Sequence, residues 1–127
     1  MNTTPEAVVR DFWRLMASND FNSVKAVLAT EFVMEWPQSK ERIRGAENFA
    51  RMNSEYPTGG RWEFKINRLV TQGTTVVSQV SLTDGTQNAE PISFFTVDQG
   101  KIMKLVEYWP EPFEPNMNRQ HLVEKLP

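Results

Sequence analysis

The stretch FFTVDQGKIMKLVEYWP, residues 94–110, decides the fold. Its first half belongs to a strand over 92–97, and Asp98-Gln99-Gly100 turns the chain. A second strand over 102–109 stops at Pro110, with Pro112 and Pro115 beyond it. Two long strands joined by a short glycine turn make an antiparallel hairpin. Upstream the pattern repeats. Trp62, Phe64 and Ile66 alternate with Glu63, Lys65 and Asn67, and Gln72-Gly73 interrupts them. Residues 74–83 are rich in Val, Thr and Ser, and Asp84-Gly85 turns the chain again. From Arg61 onward the period is two, and the chain reads as a meander.

The N-terminal half keeps another period. Thr4-Pro5-Glu6 opens a helix, with threonine able to cap, proline at the first helical position and glutamate at the positive end. Val8, Phe12 and Leu15 recur at helical spacing with Val9, Trp13 and Met16 beside them, a wide stripe suited to lying across a sheet. Asn19-Asp20 breaks this helix, and Asp20 is placed to cap a second, short one carrying Val24, Val27 and Leu28. Phe32, Met34 and Trp36 then alternate with Val33 and Glu35 and end at Pro37, which is a strand. Residues 38–44 are polar and read as a loop. Gly45 begins a third helix with Ala46, Phe49, Ala50 and Met52 on one side, and Thr58-Gly59-Gly60 is a turn. Helices first and strands after them define the α+β class.

The chain has 127 residues. That length points to one domain over 1–127, with a core of about 5–110 and a C-terminal tail over 111–127. There is no internal repeat and no low-complexity tract. Fourteen Lys+Arg against 16 Asp+Glu give a net charge of −2, which argues against nucleic acid as a partner. The absence of cysteine excludes disulfides, thiolate nucleophiles and cysteine-ligated metals, and the single histidine, His121, excludes a poly-histidine metal site. The start of the sequence has neither a basic region nor an apolar run, and no stretch is long and apolar enough for a membrane span. The expectation is a cytoplasmic protein without a membrane partner.

The segments PEAVVRDFWRLMASNDFNSVKAVLATEFVMEWP, RGAENFARM and FFTVDQGKIMKLVEYWP resemble the nuclear transport factor 2-like superfamily, most of all its SnoaL-like polyketide cyclase branch. With the meander they span about 5–110. The resemblance implies a cone in which three N-terminal helices pack into a curved, mostly antiparallel sheet around a deep apolar pocket. It further implies a small-molecule ligand, no cofactor, and a homodimer. Isomerases, epoxide hydrolases, dehydratases and cyclases share the scaffold, so chemistry must be argued residue by residue. The ketosteroid isomerase pattern fails: its aspartate base falls at Trp36, its tyrosine donor at Phe12 and its second acid near Ser93. The pair of differently tuned carboxyls on which that isomerase depends is therefore missing here. Of the epoxide hydrolase pattern one acid survives, Glu107 before Tyr108-Trp109, while its charged partners fall near 78–80, where there is no charge.

Alternation then sorts the side chains. With Trp36 facing the pocket, as the resemblance implies, Phe32 and Met34 face it too and Glu35 points outward. If Trp62, Phe64 and Ile66 face in, Arg68 follows them on the inner face near a strand end, and Glu107 shares a face with Met103, Leu105 and Trp109. The expected pocket lining is Phe12, Met34, Trp36, Phe49, Met52, Phe64, Arg68, Ser78, Ser93, Phe95, Met103, Leu105 and Trp109. A carboxylate set in such a wall has its charged form disfavoured and suits general acid or base work. Glu107 is the candidate catalytic residue, and the function expected is cofactor-independent isomerisation, cyclisation, dehydration or hydrolysis of a small apolar molecule. The alternative is a non-catalytic ligand-binding or dimerisation module, with Glu107 paired to an arginine such as Arg68 or exposed at the sheet edge. Arg68, Ser78 and Ser93 are the candidate donors beside it. The opposite face carries Ile92, Phe94, Ile102, Val106 and Tyr108, too apolar for water, and a second copy would cover it.

Overall fold

The computed structural model describes residues 3–127. Helix α1 (Pro5–Ala17) starts as its sequence demands, with the Thr4 hydroxyl accepting from the Ala7 N–H at 3.3 Å. It buries Val8, Val9, Phe12, Trp13 and Met16. The second helix is a 3-10 turn (Phe21–Val27), and the Asp20 side chain does not cap it. Its carbonyl serves instead, accepting from the Ser23 N–H and hydroxyl. Strand β1 (Leu28–Trp36) begins earlier than the alternation suggests, because Leu28 has already left the helix. The polar segment expected as a loop contains a short strand, β2 (Glu41–Arg44), paired antiparallel to β1. Gly45 follows at a φ of 87°, a left-handed conformation that favours glycine, and leads into α2 (Ala46–Glu55).

The meander supplies β3 (Glu63–Gln72), β4 (Thr75–Thr83), the short β5 (Asn88–Ala89), β6 (Ile92–Asp98) and β7 (Lys101–Tyr108). The sheet runs β2-β1-β7-β6-β4-β3, with β5 pairing β4. All neighbours are antiparallel except β1 and β7, which run parallel and bring the two ends of the chain's folded part together. Helices α1 and α2 lie on one face of this sheet, and between them Phe12 meets Phe95 edge-on at 5.1 Å while Phe32 meets Phe49 at 5.5 Å. Such edge-to-face pairs add specific geometry to ordinary apolar burial.

Two bulges correct the alternation. In β3 the register jumps from Ile66↔Val80 to Arg68↔Gln79, so Asn67 is an extra residue. After it Leu69, not Arg68, returns to the core side, and Arg68 is exposed. In β7 the register jumps from Thr96↔Lys104 to Val97↔Ile102, so Met103 is extra. Ile102 is consequently buried in the core, not on the outer face, and Met103 drops out of the row formed by Leu105 and Glu107. The outer face keeps Ile92, Phe94, Val106 and Tyr108. Beyond Tyr108 the chain is largely exposed, including a 3-10 turn (Met117–Leu122) that carries His121.

Candidate active site

Register sets the site before any side chain is considered. Ser78 on β4 pairs with Ser93 on β6, and Ser93 pairs with Glu107 on β7. Met34 and Glu35 of β1 pair with Leu105 and Val106, so one step further brings Trp36 level with Glu107. Four strands thus place Trp36, Glu107, Ser93 and Ser78 in one row across the concave face. The row is hydrogen-bonded at both ends. The Trp36 indole Nε1–H donates to Glu107 Oε1 at 3.2 Å, and the Ser93 hydroxyl donates to Oε2 at 2.9 Å. The Trp13 indole, reaching down from α1, donates to Ser78 Oγ at 3.1 Å.

Glu107 is only 6% exposed and has no cationic partner among the described residues. Burial pushes its carboxyl above the ordinary glutamate range, opposed by the hydrogen bonds from Ser93, Trp36 and Trp109. An indole N–H can only donate, so Oε1 is an acceptor in either protonation state. A hydroxyl can donate or accept. Ser93 therefore serves the carboxylate by donating and the neutral acid by accepting the proton of Oε2. The Ser93–Oε2 pairing therefore persists in both forms of Glu107.

In front of Glu107 a cavity of about 560 Å³ opens toward solvent. Its wall takes Phe12, Trp13 and Met16 from α1, Phe49, Met52, Asn53 and Tyr56 from α2 and its end, and Trp36, Trp62, Phe64, Leu82 and Trp109 from the sheet side. Phe21, Gln38, Ser39, Gln87, Asn88, Ala89 and Glu111 complete the lining. Gln38 fastens the wall by acting like a strand residue. Its Oε1 accepts from the Trp109 N–H at 2.6 Å and its Nε2–H donates to the Trp109 carbonyl at 3.2 Å, prolonging the β1–β7 ladder. On the other side Asp84 accepts from the N–H groups of Gly59 (2.8 Å), Thr86 (2.9 Å) and Gln87 (2.7 Å), which ties the β4–β5 turn to the chain after α2. These backbone donors hold its carboxyl well below the usual range.

Six of the lining residues expected from the sequence, Phe12, Trp36, Phe49, Met52, Phe64 and Trp109, stand on this cavity with Glu107. Met34, Phe95 and Leu105 are sealed in the core behind it, and Ser78 and Ser93 lie at 0% exposure within the polar row. Arg68 and Met103 are displaced by the bulges. His121 is exposed and does not line the cavity. Sequence reasoning missed Asn53 and Tyr56 on the α2 side, and with them Met16, Phe21 and Leu82. The helix period from Phe49 through Met52 and Asn53 to Tyr56 is the signal that marks the α2 members.

The helix-and-curved-sheet architecture is that of the nuclear transport factor 2-like class. Within that class the SnoaL-like domain family matches residues 9–105, and the chain belongs to it. A protein of Kribbella flavida DSM 17836, provisionally named a ketosteroid isomerase, has 32% identity and a TM-score of 0.88, over 97% of this chain and 90% of that one. An LEH-like epoxide hydrolase of M. tuberculosis has 26% identity and a TM-score of 0.68, over 84% of this chain and 82% of the other. A SnoaL-like polyketide cyclase, provisionally so named, from Jannaschia sp. CCS1 shares the fold at 17% identity, with a TM-score of 0.61 over 69% of this chain and 71% of its own. No protein of curated function matches the chain. No helix among the described residues is long and apolar enough to cross a membrane.

Proposed function

We propose that this protein is a SnoaL-like enzyme that holds a small, largely apolar molecule in the aromatic cavity and moves a proton through Glu107. The observation that carries the reading is a buried carboxyl without a counter-charge, facing a cavity. As the neutral acid, Glu107 turns its Oε2 proton away from Ser93 and gives it to an oxygen of the bound molecule as a bond to that oxygen opens or its carbonyl enolises. The carboxylate then takes a proton back from an adjacent carbon or from water. Ser93 follows each change by reversing its hydrogen bond, while Trp36 and Trp109 keep the carboxyl oriented. The apolar wall raises its proton affinity above that of an ordinary glutamate.

Isomerisation, cyclisation, dehydration and epoxide opening all use such a step, and the neighbours named for isomerase, cyclase and epoxide hydrolase activity support this range. The test is a screen of apolar enones, epoxides and hydroxy-ketones with the wild-type protein and Glu107→Gln. Glutamine keeps both hydrogen-bonding roles of the neutral acid and cannot release a proton. Turnover by the wild type that falls about a hundredfold or more in Glu107→Gln is expected. Equal turnover by both proteins removes Glu107 from the chemistry.

We also propose that the outer sheet face pairs with a second copy. Phe94 is 41% exposed and Tyr108 is 38% exposed, their ring centroids lie 6.0 Å apart, and Ile92 and Val106 flank them. An uncovered apolar patch of this kind supports an isologous dimer.

A further inference from the structure

Helix α2 presents Phe49, Met52, Asn53 and Tyr56 to the cavity, and Asn53 is the polar member of that stripe. Its amide orientation is set by chemistry. Nδ2 donates to the Phe49 carbonyl at 2.9 Å, and a carbonyl can only accept, so the amide cannot be turned over. This leaves Oδ1 as an acceptor with no protein partner among the described residues. No buried side-chain polar atom is left unpaired among them, so Oδ1 is not sealed away in the core. Three other polar side chains of the lining are engaged within the protein. Gln38 is bonded through both ends to Trp109, Ser39 donates to Glu41 at 2.6 Å, and the Gln87 amide N–H₂ is shared between Asp84 and Pro57.

The charges of the wall add a second restriction. Glu107 and Glu111 are acidic, and no lysine, arginine or histidine stands among the lining residues. A carboxylate or phosphate in the cavity would lose its hydration and meet no counter-charge. An uncharged molecule loses little. A hydroxyl or N–H on it gains the one fixed acceptor on the α2 wall.

We propose that Asn53 is the specificity-determining residue of this site, its Oδ1 accepting a hydrogen bond from a hydroxyl or N–H of an uncharged, mostly apolar substrate. The proposal rests on the reading of the cavity as the substrate site and adds the substrate class to it. It discriminates by a donor group: a site built to bond a substrate hydroxyl selects against the analogue lacking it.

All four tryptophans line the cavity, so their fluorescence reports on an occupant directly. The probes are para-phenylphenol, its methyl ether para-methoxybiphenyl, and biphenyl-carboxylate. The wild type should bind the phenol roughly three- to tenfold more tightly than the ether, the worth of one net hydrogen bond, and the carboxylate at least about tenfold more weakly than the ether. Asn53→Ala should lose the preference for the phenol and keep its affinity for the ether. Asn53→Asp, which retains an acceptor, should keep the preference. Equal binding of phenol and ether by the wild type overturns the proposal, as does a preference that survives Asn53→Ala. If the preference disappears in Glu107→Gln and survives in Asn53→Ala, Glu107 reads the hydroxyl and the cavity remains the binding site. If no probe binds, the substrate class and the reading of the cavity fall together.

Discussion

Glu107 draws its character from what surrounds it and not from its position in a strand. Three neutral donors satisfy its oxygens, and none of them offsets the loss of hydration that burial imposes on the charge. The consequence for stability has a definite sign. The folded state holds the proton to a higher pH than the unfolded chain does, so it binds more protons in the interval between the two values. Stability from this group is complete below the ordinary value of 4.5 and is lost as pH rises through the raised folded value. Glu107→Gln has nothing to ionise. Urea unfolding from about pH 5 to about pH 9 should show the variant gaining on the wild type as pH rises. Other groups titrate alike in both proteins and cancel in the difference. Parallel stability curves would mean that the carboxyl is already charged at low pH.

Elements explain which parts of the site can be read from the sequence. The helices, the β1 alternation and the Asp98-Gln99-Gly100 turn are all legible, because each is a local pattern with one period. The inward set from Phe12 to Trp109 follows from those periods. Arg68, Met103 and Ile102 are misplaced by simple alternation because a bulge changes phase without changing composition. Asn67 and Met103 look like ordinary strand residues, and only the partner strand reveals that each is extra. The β2 strand is illegible for another reason: its polar residues Glu41, Arg42 and Arg44 are exposed at the sheet edge, where nothing apolar marks them. Asp84 reads as a turn residue, and its work in closing the cavity rim depends on the distant Gly59. Gly60 shows how close that approach is, since a Cβ there would meet the Asp84 carbonyl oxygen at 2.8 Å. The row from Trp36 to Ser78 draws on four strands and is invisible to any local pattern.

At the scale of the whole molecule, the sheet has one face committed to the helices and the cavity, and one without cover. Phe94 and Tyr108 sit on the uncovered face of adjacent strands. Sedimentation equilibrium should give the mass of two chains, and Phe94→Lys should shift it toward one chain with the far-ultraviolet dichroism unchanged. A wild-type protein that remains single at high micromolar concentration would rule the dimer out. The proposed dimer face and the cavity lie on opposite sides of the sheet, so the variant should still bind the apolar probes.

The measurement closest to the central claim is the ionisation of Glu107 itself. Carbon-13 labelling of the glutamate carboxyls, with the Glu107→Gln spectrum assigning the resonance that disappears, gives its titration directly. The midpoint should lie above the ordinary 4.5. It should rise further when the ether probe fills the cavity and excludes water from the carboxyl. A midpoint at or below the ordinary value, unchanged by an occupant, would contradict the proton-transfer role: Glu107 would then be a solvated carboxylate.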